Sequence, residues 1–241
     1  MNECENGPKL GDRITAVITE KPAFKLVRKL AAAMAREIRN PIGSARGFLE
    51  LAGMKEEGEC FFFRHYVPMA IRELERVDNM IGELLSLAAD KPVNKELHHL
   101  DSIMEDLLPL ISEEAAAAGI RVETDLRDVP GLLVDYHELR QLILSIVRNG
   151  LEAMSVAGRL TLKTFLENDT AVLAVEDTGK GVRNDVLQRL GTPFFTTKKF
   201  GTGLGLAVCF SIARRHDAEI TIETCPRGTT VYVRFKPTQK L

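Results

Sequence analysis

The chain has 241 residues, a formal net charge of −2 and an apolar fraction of 45%, values typical of a globular protein. The charge argues against a nucleic-acid-binding protein, which normally carries a basic excess. No apolar stretch approaches the length of a membrane-spanning helix, and residues 1–21 lack the pattern of a secretion signal, so we expect a cytoplasmic protein that begins with a short leader at 1–21.

The leader is followed by two segments with helical periodicity. Apolar residues recur at steps of three and four over residues 22–52 and again over residues 67–88, which predicts two long helices. Pro41 is expected to kink the first helix, because proline has no backbone N–H to donate. We therefore predict an antiparallel helical hairpin over residues 22–89. One hairpin alone leaves its apolar stripe uncovered, so we expect two copies to form a four-helix bundle in a homodimer.

The two predicted helices differ in charge. The first is strongly basic and the second is mainly acidic. Helices of opposite charge can pair at their flanks, although each exposed ion pair contributes only about 0.5 kcal/mol. Solvated helix faces would explain the pattern equally well, and a basic first helix could also receive an acidic partner protein.

A mixed α/β pattern follows the hairpin. Residues 90–95 are predicted to form a linker, in which Pro92 ends the second helix. Helices are then predicted near residues 100–118, 135–154 and 203–216, and strands near residues 120–125, 159–166, 171–176, 218–223 and 229–236, with residues 167–169 turning one β-hairpin. The predicted fold class is α+β, with the helical hairpin followed by an α/β sandwich domain over residues 96–237.

The second of these domain helices, near residues 135–154, has a polar face before its end. Ser145, Asn149 and Glu152 share that face by helical spacing. An asparagine amide oxygen is a suitable ligand for Mg²⁺, which takes a few protein oxygens together with phosphates and water. Taken alone, the pattern is equally well explained as a solvated helix face.

A carboxylate ends one of the predicted strands. Asp177 is followed by Thr178-Gly179-Lys180-Gly181, whose glycines allow a tight turn. Such a carboxylate suits hydrogen bonding to the amino edge of a purine. Near the end of the chain, Gly228-Thr229-Thr230 offers a hydroxyl that could reach the same base.

A glycine-rich loop precedes the last predicted helix. Gly201, Gly203 and Gly205 alternate with Thr202 and Leu204. They would expose successive backbone N–H groups at the positive end of the helix dipole, which favours phosphate binding. Residues 183–202 are predicted to form a mobile lid over that phosphate site.

In order and spacing, these segments resemble the N, G1, F and G2 boxes and the terminal Gly-Thr-Thr of the histidine kinase catalytic domain. Upstream, Ala35-Arg36-Glu37-Ile38-Arg39-Asn40-Pro41 resembles the dimerisation-domain box of the same family. The resemblance spans roughly residues 25–237 and looks closest to the soluble cores of sporulation-type and nitrogen-regulatory sensor kinases. It implies an ATP-binding domain of the histidine kinase, gyrase and Hsp90 type in a phosphotransferase of two-component signalling.

The resemblance also implies roles for individual residues. Asn149 would bind Mg²⁺ and Asp177 would bind the adenine of ATP. Arg148 would be a phosphate neighbour, and the partner protein would be the receiver domain of a response regulator. The further ATP contacts that it implies are Gly179, Gly181, Thr196, Lys198, Gly201, Gly203, Leu204, Gly205 and Thr230.

The chain departs from the family at the phosphoacceptor position, where Arg36 stands in place of histidine. A guanidinium group stays protonated to a pKa above about 12 and offers no nucleophilic lone pair, so we expect no ordinary autophosphorylation. Glu37 and Asn40 remain in the box, and the family's equivalent of Asn40 can orient a water that hydrolyses a regulator's aspartyl phosphate. Ser145 replaces a second asparagine and cannot activate water as a carboxylate does, so fast ATP hydrolysis is not expected.

Several functions are therefore compatible with the sequence. The leading one is a histidine kinase homologue that binds Mg-ATP and docks a response regulator without autophosphorylating. Arg36 could instead be an engineered replacement in a true histidine kinase, or the chain could be a non-kinase regulator or phosphatase of a response regulator. A serine kinase of the anti-sigma type would normally lack the long hairpin, and a non-enzymatic scaffold would not bind nucleotide.

Overall fold

The hairpin and the sheet belong to different units of the computed structural model, which describes residues 14–17, 24–53, 60–88, 93–155, 157–198 and 201–236. One unit consists of Glu20–Asp90 and Thr192–Gly205. The other consists of Met1–Thr19, Lys91–Gly191 and Leu206–Leu241. Among the helices within the described residues, none is long and apolar enough to cross a membrane.

Helices α1 (Phe24–Gly53) and α2 (Cys60–Ala88) form the hairpin predicted from the sequence. Both contain an internal proline, Pro41 in α1 and Pro68 in α2. The buried apolar side chains of the two helices include Ala45, Ala52, Ala70, Val77 and Met80, of which three are alanine. Small residues on facing positions allow close helix packing. The connection between the two helices, residues 54–59, lies outside the described residues.

The second unit is built on a six-stranded sheet in the order β1-β7-β8-β6-β5-β3. Its strands are β1 (Ile14–Val17), β3 (Arg121–Leu126), β5 (Arg159–Glu167), β6 (Thr170–Asp177), β7 (Ala218–Cys225) and β8 (Gly228–Phe235). The pairing of β3 with β5 is parallel, and the other pairings are antiparallel. Two short strands, β2 (Glu96–His98) and β4 (Leu132–Val134), form a separate antiparallel pair.

One face of this sheet is covered by helices. They are α3 (Leu100–Ala117), α4 (Tyr136–Ala153) and α6 (Gly205–Arg215), and a one-turn helix α5 (Asn184–Leu187) follows β6. Fully buried side chains of α4 and β5, such as Ile143, Val147 and Leu162, form the core beneath them. The opposite face carries ion pairs between strands, namely Lys163–Glu176 between the adjacent β5 and β6, and Arg234–Glu167 between β8 and β5, across β6. Burial alternates along β5, whereas Ala171–Val175 of the central strand β6 are buried on both faces.

The predicted α+β fold class is confirmed, and so are the helices and strands of the α/β domain named from the sequence. Asn168 and Asp169 join β5 to β6 with φ angles of 49° and 63°, the left-handed pair of a two-residue hairpin turn. The sequence did not predict β1, β2, β4 or α5. Elements of three or four residues are too short to show a period of 2 or 3.6 residues.

The start of α4 is held by two side chains. The Asp135 carboxylate accepts hydrogen bonds from the backbone N–H groups of His137 at 3.0 Å and Glu138 at 3.1 Å. The buried His216 ring accepts from the Asp135 backbone N–H at 3.0 Å through Nε2, and its Nδ1 lies 2.8 Å from the Ile212 carbonyl oxygen. The Nδ1–H tautomer satisfies both contacts. His216 therefore ties the end of α6 to the start of α4.

Removing this cap should destabilise α4. We expect Asp135→Ala to lower the free energy of unfolding by about 1 kcal/mol, because two N–H groups of the first turn lose their acceptor. Asp135→Asn should keep most of the stability, since an amide oxygen also caps helices. Urea denaturation would measure both, with Asp128→Ala, at an exposed aspartate before β4, as the matched control. Equal losses for Asp135→Ala and Asp128→Ala would contradict the capping role.

Candidate nucleotide-binding site

The end of β6 lies against α4 where the polar face of that helix ends. Gly150 makes this close approach possible. A Cβ atom on Gly150 would lie 3.4 Å from Cβ of Asp177 and 3.8 Å from its Oδ2. Because Asn149 precedes Gly150 directly, the structure brings Asn149 and Asp177 to adjoining positions. The two were separate motifs in the sequence.

Asp177 is buried, with 7% of its surface exposed. Its Oδ1 accepts a hydrogen bond from the Gly179 backbone N–H at 2.8 Å. Burial raises the pKa of Asp177, and hydrogen bonds from the backbone N–H groups of Gly179 and Thr229 oppose that rise. A carboxylate oriented in this way can accept a hydrogen bond from the amino group of a purine.

The turn after Asp177 has no room for side chains at its glycines. A Cβ on Gly179 would lie 2.7 Å from the Ala153 carbonyl oxygen. Gly181 has a φ of +66°, and a Cβ there would lie 2.0 Å from the Cys225 carbonyl oxygen. The next backbone N–H, of Val182, donates to Oγ1 of Thr224 at 2.8 Å. The turn therefore packs between the end of α4 and the end of β7.

An added methyl group at Gly181 should disrupt this turn. Gly181→Ala combines an unfavourable positive φ with a clash against backbone, and we expect it to cost about 3 kcal/mol of stability. Gly82→Ala is the matched control, because Gly82 lies within α2 and its Cβ would meet nothing within 4 Å. That control should be neutral or stabilising by up to about 1 kcal/mol. Urea denaturation distinguishes the two, and similar values for both would argue against the close packing.

The register of β6 with β8 identifies a second candidate threonine beside the predicted Thr230. Thr229 lies directly opposite Asp177, whereas the predicted Thr230 lies opposite Glu176. Directly opposed residues of an antiparallel pair share a face, and successive residues alternate. Thr229, which is buried, is therefore the threonine on the face of Asp177, and Thr230 is on the other face. Sequence reasoning missed Thr229 because only the register distinguishes it from its neighbour.

The glycine-rich segment belongs to the same unit as the hairpin. The Phe194 backbone N–H donates to the Gly203 carbonyl oxygen at 2.9 Å, and Gly203 has a φ of +67°. Thr196 Oγ1 accepts from the Lys198 N–H at 3.0 Å, and a Cβ on Gly201 would lie 2.6 Å from that same Oγ1. In this unit the Thr202 side chain also forms a hydrogen bond with Glu83 of α2. Burial raises the pKa of Glu83, and this hydrogen bond opposes the rise.

The glycines end at the first residue of α6, as the sequence predicted. Leu204 is buried, and its N–H donates to Oγ1 of Thr202 at 3.2 Å. Gly205 is the first residue of α6, which carries Arg214 and Arg215 in its last turn. The N–H groups at the start of such a helix have no partner within the helix, which makes them suitable phosphate ligands.

The polar face of α4 presents few ligands for a metal. Asn149 and Ser145 are half-buried and Glu152 is exposed. Among the described residues, no three His, Cys, Asp or Glu side chains converge on one point. Such a face fits an ion that is held by the Asn149 oxygen together with phosphate oxygens and water.

Arg148, the predicted phosphate neighbour, forms an ion pair with Glu114. Its guanidinium Nη2 lies 2.7 Å from Oε1 of Glu114 on α3, and its Nε contacts both carboxylate oxygens. The pKa of Arg148 is raised chiefly by this hydrogen bond. Arg148 thus joins α3 to α4, and its role as a phosphate neighbour stays a prediction.

The hairpin box lies within α1. Arg36 and Glu37 are both in this helix, and their side chains are outside the described ones. Asn40 is exposed on α1. Arg36 and Asn40 are separated by one helical turn and so share a helix face.

Two family models match the chain. The His Kinase A (phospho-acceptor) domain matches residues 26–90, and the Histidine kinase-, DNA gyrase B-, and HSP90-like ATPase matches residues 134–239. Together they confirm the resemblance and the order of a helical part followed by an ATPase-type domain.

The similar curated proteins are kinases. Sporulation kinase C of Bacillus subtilis is 32% identical over 207 residues, covering 85% of this chain and 47% of the relative. Sporulation kinase E of the same organism is 35% identical over 218 residues, covering 89% of this chain and 29% of the relative. The chain therefore spans less than half the length of these two curated relatives.

Solved structures of histidine kinases share the fold. The histidine kinase ThkA, in a crystal structure with the response regulator protein TrrA, has a TM-score of 0.76 at 20% identity, covering 89% of this chain and 63% of that one. The Acinetobacter baumannii histidine kinase AdeS has a TM-score of 0.69 at 21% identity, covering 83% of this chain and 96% of that one.

Proposed function

Because the chain belongs to the histidine kinase family of two-component signal transduction, we propose that it binds Mg-ATP and docks a response regulator but does not phosphorylate itself. The observation that carries the nucleotide part is the buried Asp177 carboxylate, oriented by the Gly179 N–H at 2.8 Å and adjoining Asn149 of α4. The observation that carries the second part is Arg36 in the hairpin box.

The residues of the nucleotide site would bind different parts of Mg-ATP. Asp177 accepts a hydrogen bond from the adenine amino group, with Thr229 on the same face of the sheet. Asn149 supplies an oxygen to Mg²⁺, and the ion offsets the negative charge of the phosphates when it is bound. Gly201, Gly203 and Gly205 present backbone N–H groups to the phosphates, with Thr196 and Lys198 beside them.

The hairpin supports the proposed homodimer. Large apolar side chains remain exposed on both helices, at Ile42, Leu49, Leu51, Ile71, Leu74, Ile81 and Leu85. Exposed apolar patches of this kind mark interaction surfaces. A second hairpin would cover them in a four-helix bundle, and the receiver domain of a response regulator would dock on its outer surface.

The test is binding and labelling of the full chain. Calorimetry with a non-hydrolysable ATP analogue should show binding that is tighter with Mg²⁺ than without it. Incubation with labelled ATP and Mg²⁺ should leave no stable label on the protein. Absence of binding would refute the nucleotide site, and stable, acid-labile label would refute the claim that the chain does not phosphorylate itself.

A second activity is favoured by the exposed Asn40, because water orientation at a regulator's aspartyl phosphate needs no histidine. In this alternative the chain acts as a phosphatase of the regulator. A phosphorylated receiver domain of a cognate regulator should lose phosphate faster with the parent chain than with Asn40→Ala. Asn79→Ala, at an exposed asparagine of α2, is the matched control. Equal rates for all three proteins would reject the phosphatase role.

A further inference from the structure

Strand β1 comes before the hairpin in the chain but belongs to the sheet of the other unit. It pairs antiparallel with β7, with Ile14 opposite Thr224 and Val17 opposite Thr221. β1 is the outermost strand of the sheet on that side. Without it, the backbone groups on this side of β7 would have no strand partner, which is the arrangement that invites addition of another strand.

The part of β7 that β1 covers is the part that supports the nucleotide turn. Thr224 Oγ1 accepts the Val182 N–H at 2.8 Å and lies 3.2 Å from Oγ1 of Thr229. The next residue, Cys225, lies against Gly181. Thr224, which is paired with Ile14 of β1, therefore contacts the segment after Asp177 directly and also contacts Thr229, the residue of β8 opposite Asp177.

We propose that residues 14–17 are an intramolecular docking strand, and that their pairing with the edge of β7 stabilises the nucleotide-binding form of the turn after Asp177. The recognition mode is strand addition, in which backbone hydrogen bonds supply the binding energy. The nucleotide part of this inference rests on the proposed function, whereas the docking does not.

Two consequences follow from thermodynamic linkage. If β1 pairing strengthens nucleotide binding by some factor, nucleotide binding strengthens β1 pairing by the same factor. Because residues 18–23 connect β1 to α1, the paired strand also gives the sheet a second covalent connection to the hairpin, in addition to the connection through residues 89–92. A change that separates β1 from β7 would then weaken nucleotide binding.

The register allows a sharp test of docking by disulfide formation. Thr15 lies directly opposite Glu223, and opposed residues of an antiparallel pair have Cβ atoms about 5 Å apart, within reach of a disulfide. Glu219 lies on the same face of β7, four residues upstream and about 13 Å away along the strand. In the full chain with its four cysteines replaced, Thr15→Cys with Glu223→Cys should form an intramolecular disulfide. Thr15→Cys with Glu219→Cys is the matched control and should form little.

Nucleotide should promote this cross-link. Adding a non-hydrolysable ATP analogue should raise the yield of the 15–223 disulfide under a limiting oxidant and leave the 15–219 pair unchanged. Equal yields for the two pairs would refute the register. A covalent dimer on a non-reducing gel, in place of a faster-migrating monomer, would refute intramolecular docking.

Breaking the pairing should weaken nucleotide binding. Thr15→Pro with Ala16→Pro removes two successive N–H groups, of which one must point toward β7 because the N–H groups of a strand alternate in direction. We expect this variant to bind the ATP analogue about fivefold more weakly by calorimetry. Thr15→Val with Ala16→Val keeps both N–H groups and should bind as the parent does.

Equal affinities of the proline and valine variants would refute the coupling between β1 and the turn. If the parent itself binds no nucleotide, the proposed function fails and the coupling fails with it. A 15–223 disulfide would still form in that case, because docking of β1 requires no nucleotide. The two failures are therefore distinguishable.

Discussion

Arg36→His should take up stable, acid-labile label from ATP and Mg²⁺, where the parent chain takes up none. Imidazole titrates near neutral pH and offers a nitrogen lone pair, whereas the guanidinium group is always protonated. Glu37, the next residue of the box, would accept the imidazole proton. General base catalysis contributes a factor of about 100 or more, so labelling of Arg36→His should rise well above the background seen with the parent.

The chain offers a matched control for this change. Arg39→His places a histidine at an exposed arginine of the same helix, outside the phosphoacceptor position, and should remain unlabelled. Arg36→Gln removes the charge without adding a nucleophile and should also remain unlabelled. If Arg36→His binds the ATP analogue as tightly as the parent but stays unlabelled, the assignment of position 36 is wrong.

Asp177→Asn should weaken nucleotide binding by about 10- to 100-fold, because a hydrogen bond to a charged group contributes about 1.5–3 kcal/mol. The amide of asparagine offers an oxygen to the Gly179 N–H, so the turn should persist. Calorimetry with the ATP analogue measures the loss. Asp128→Asn, which changes an exposed aspartate in the same way, is the control and should bind as the parent does.

The same substitution should not destabilise the free protein. Burial raises the pKa of Asp177 in the folded state, so the folded chain holds this proton more tightly than the unfolded chain. The favourable contribution to stability is therefore present at low pH and is lost as pH rises through the folded-state pKa. Asparagine imitates the protonated form, so the stability of Asp177→Asn relative to the parent should increase with pH across that range.

Urea denaturation at several pH values would follow this difference. A large loss of stability in Asp177→Asn at neutral pH would mean that the carboxylate holds the fold together rather than serving a ligand. Retained stability with lost affinity is the result expected of a binding residue.

The helices and strands of the α/β domain were predictable because each is long enough to show its period. The alternation in β7 and β8 predicted those strands. In the hairpin, steps of three and four over residues 22–52 predicted α1 in the same way. The motifs around Asn149, Asp177 and Gly203 could also be identified from the sequence, because each depends on residues that are neighbours in the chain. The strand β1 was not predictable, because four residues do not establish a period and the paired residues of β7, such as Thr221 opposite Val17, lie more than 200 residues away along the chain.

The sequence by itself determined the family, the helical hairpin and the residues suited to hold ATP. Only the tertiary structure decided which of these residues lie close together. Gly150 allows α4 to approach Asp177, the register of β6 with β8 places Thr229 on the face of Asp177, and Arg148 forms an ion pair with Glu114. Local patterns depend on neighbours a few residues apart, whereas register and helix-to-strand contacts depend on the packing of side chains that are distant in the chain.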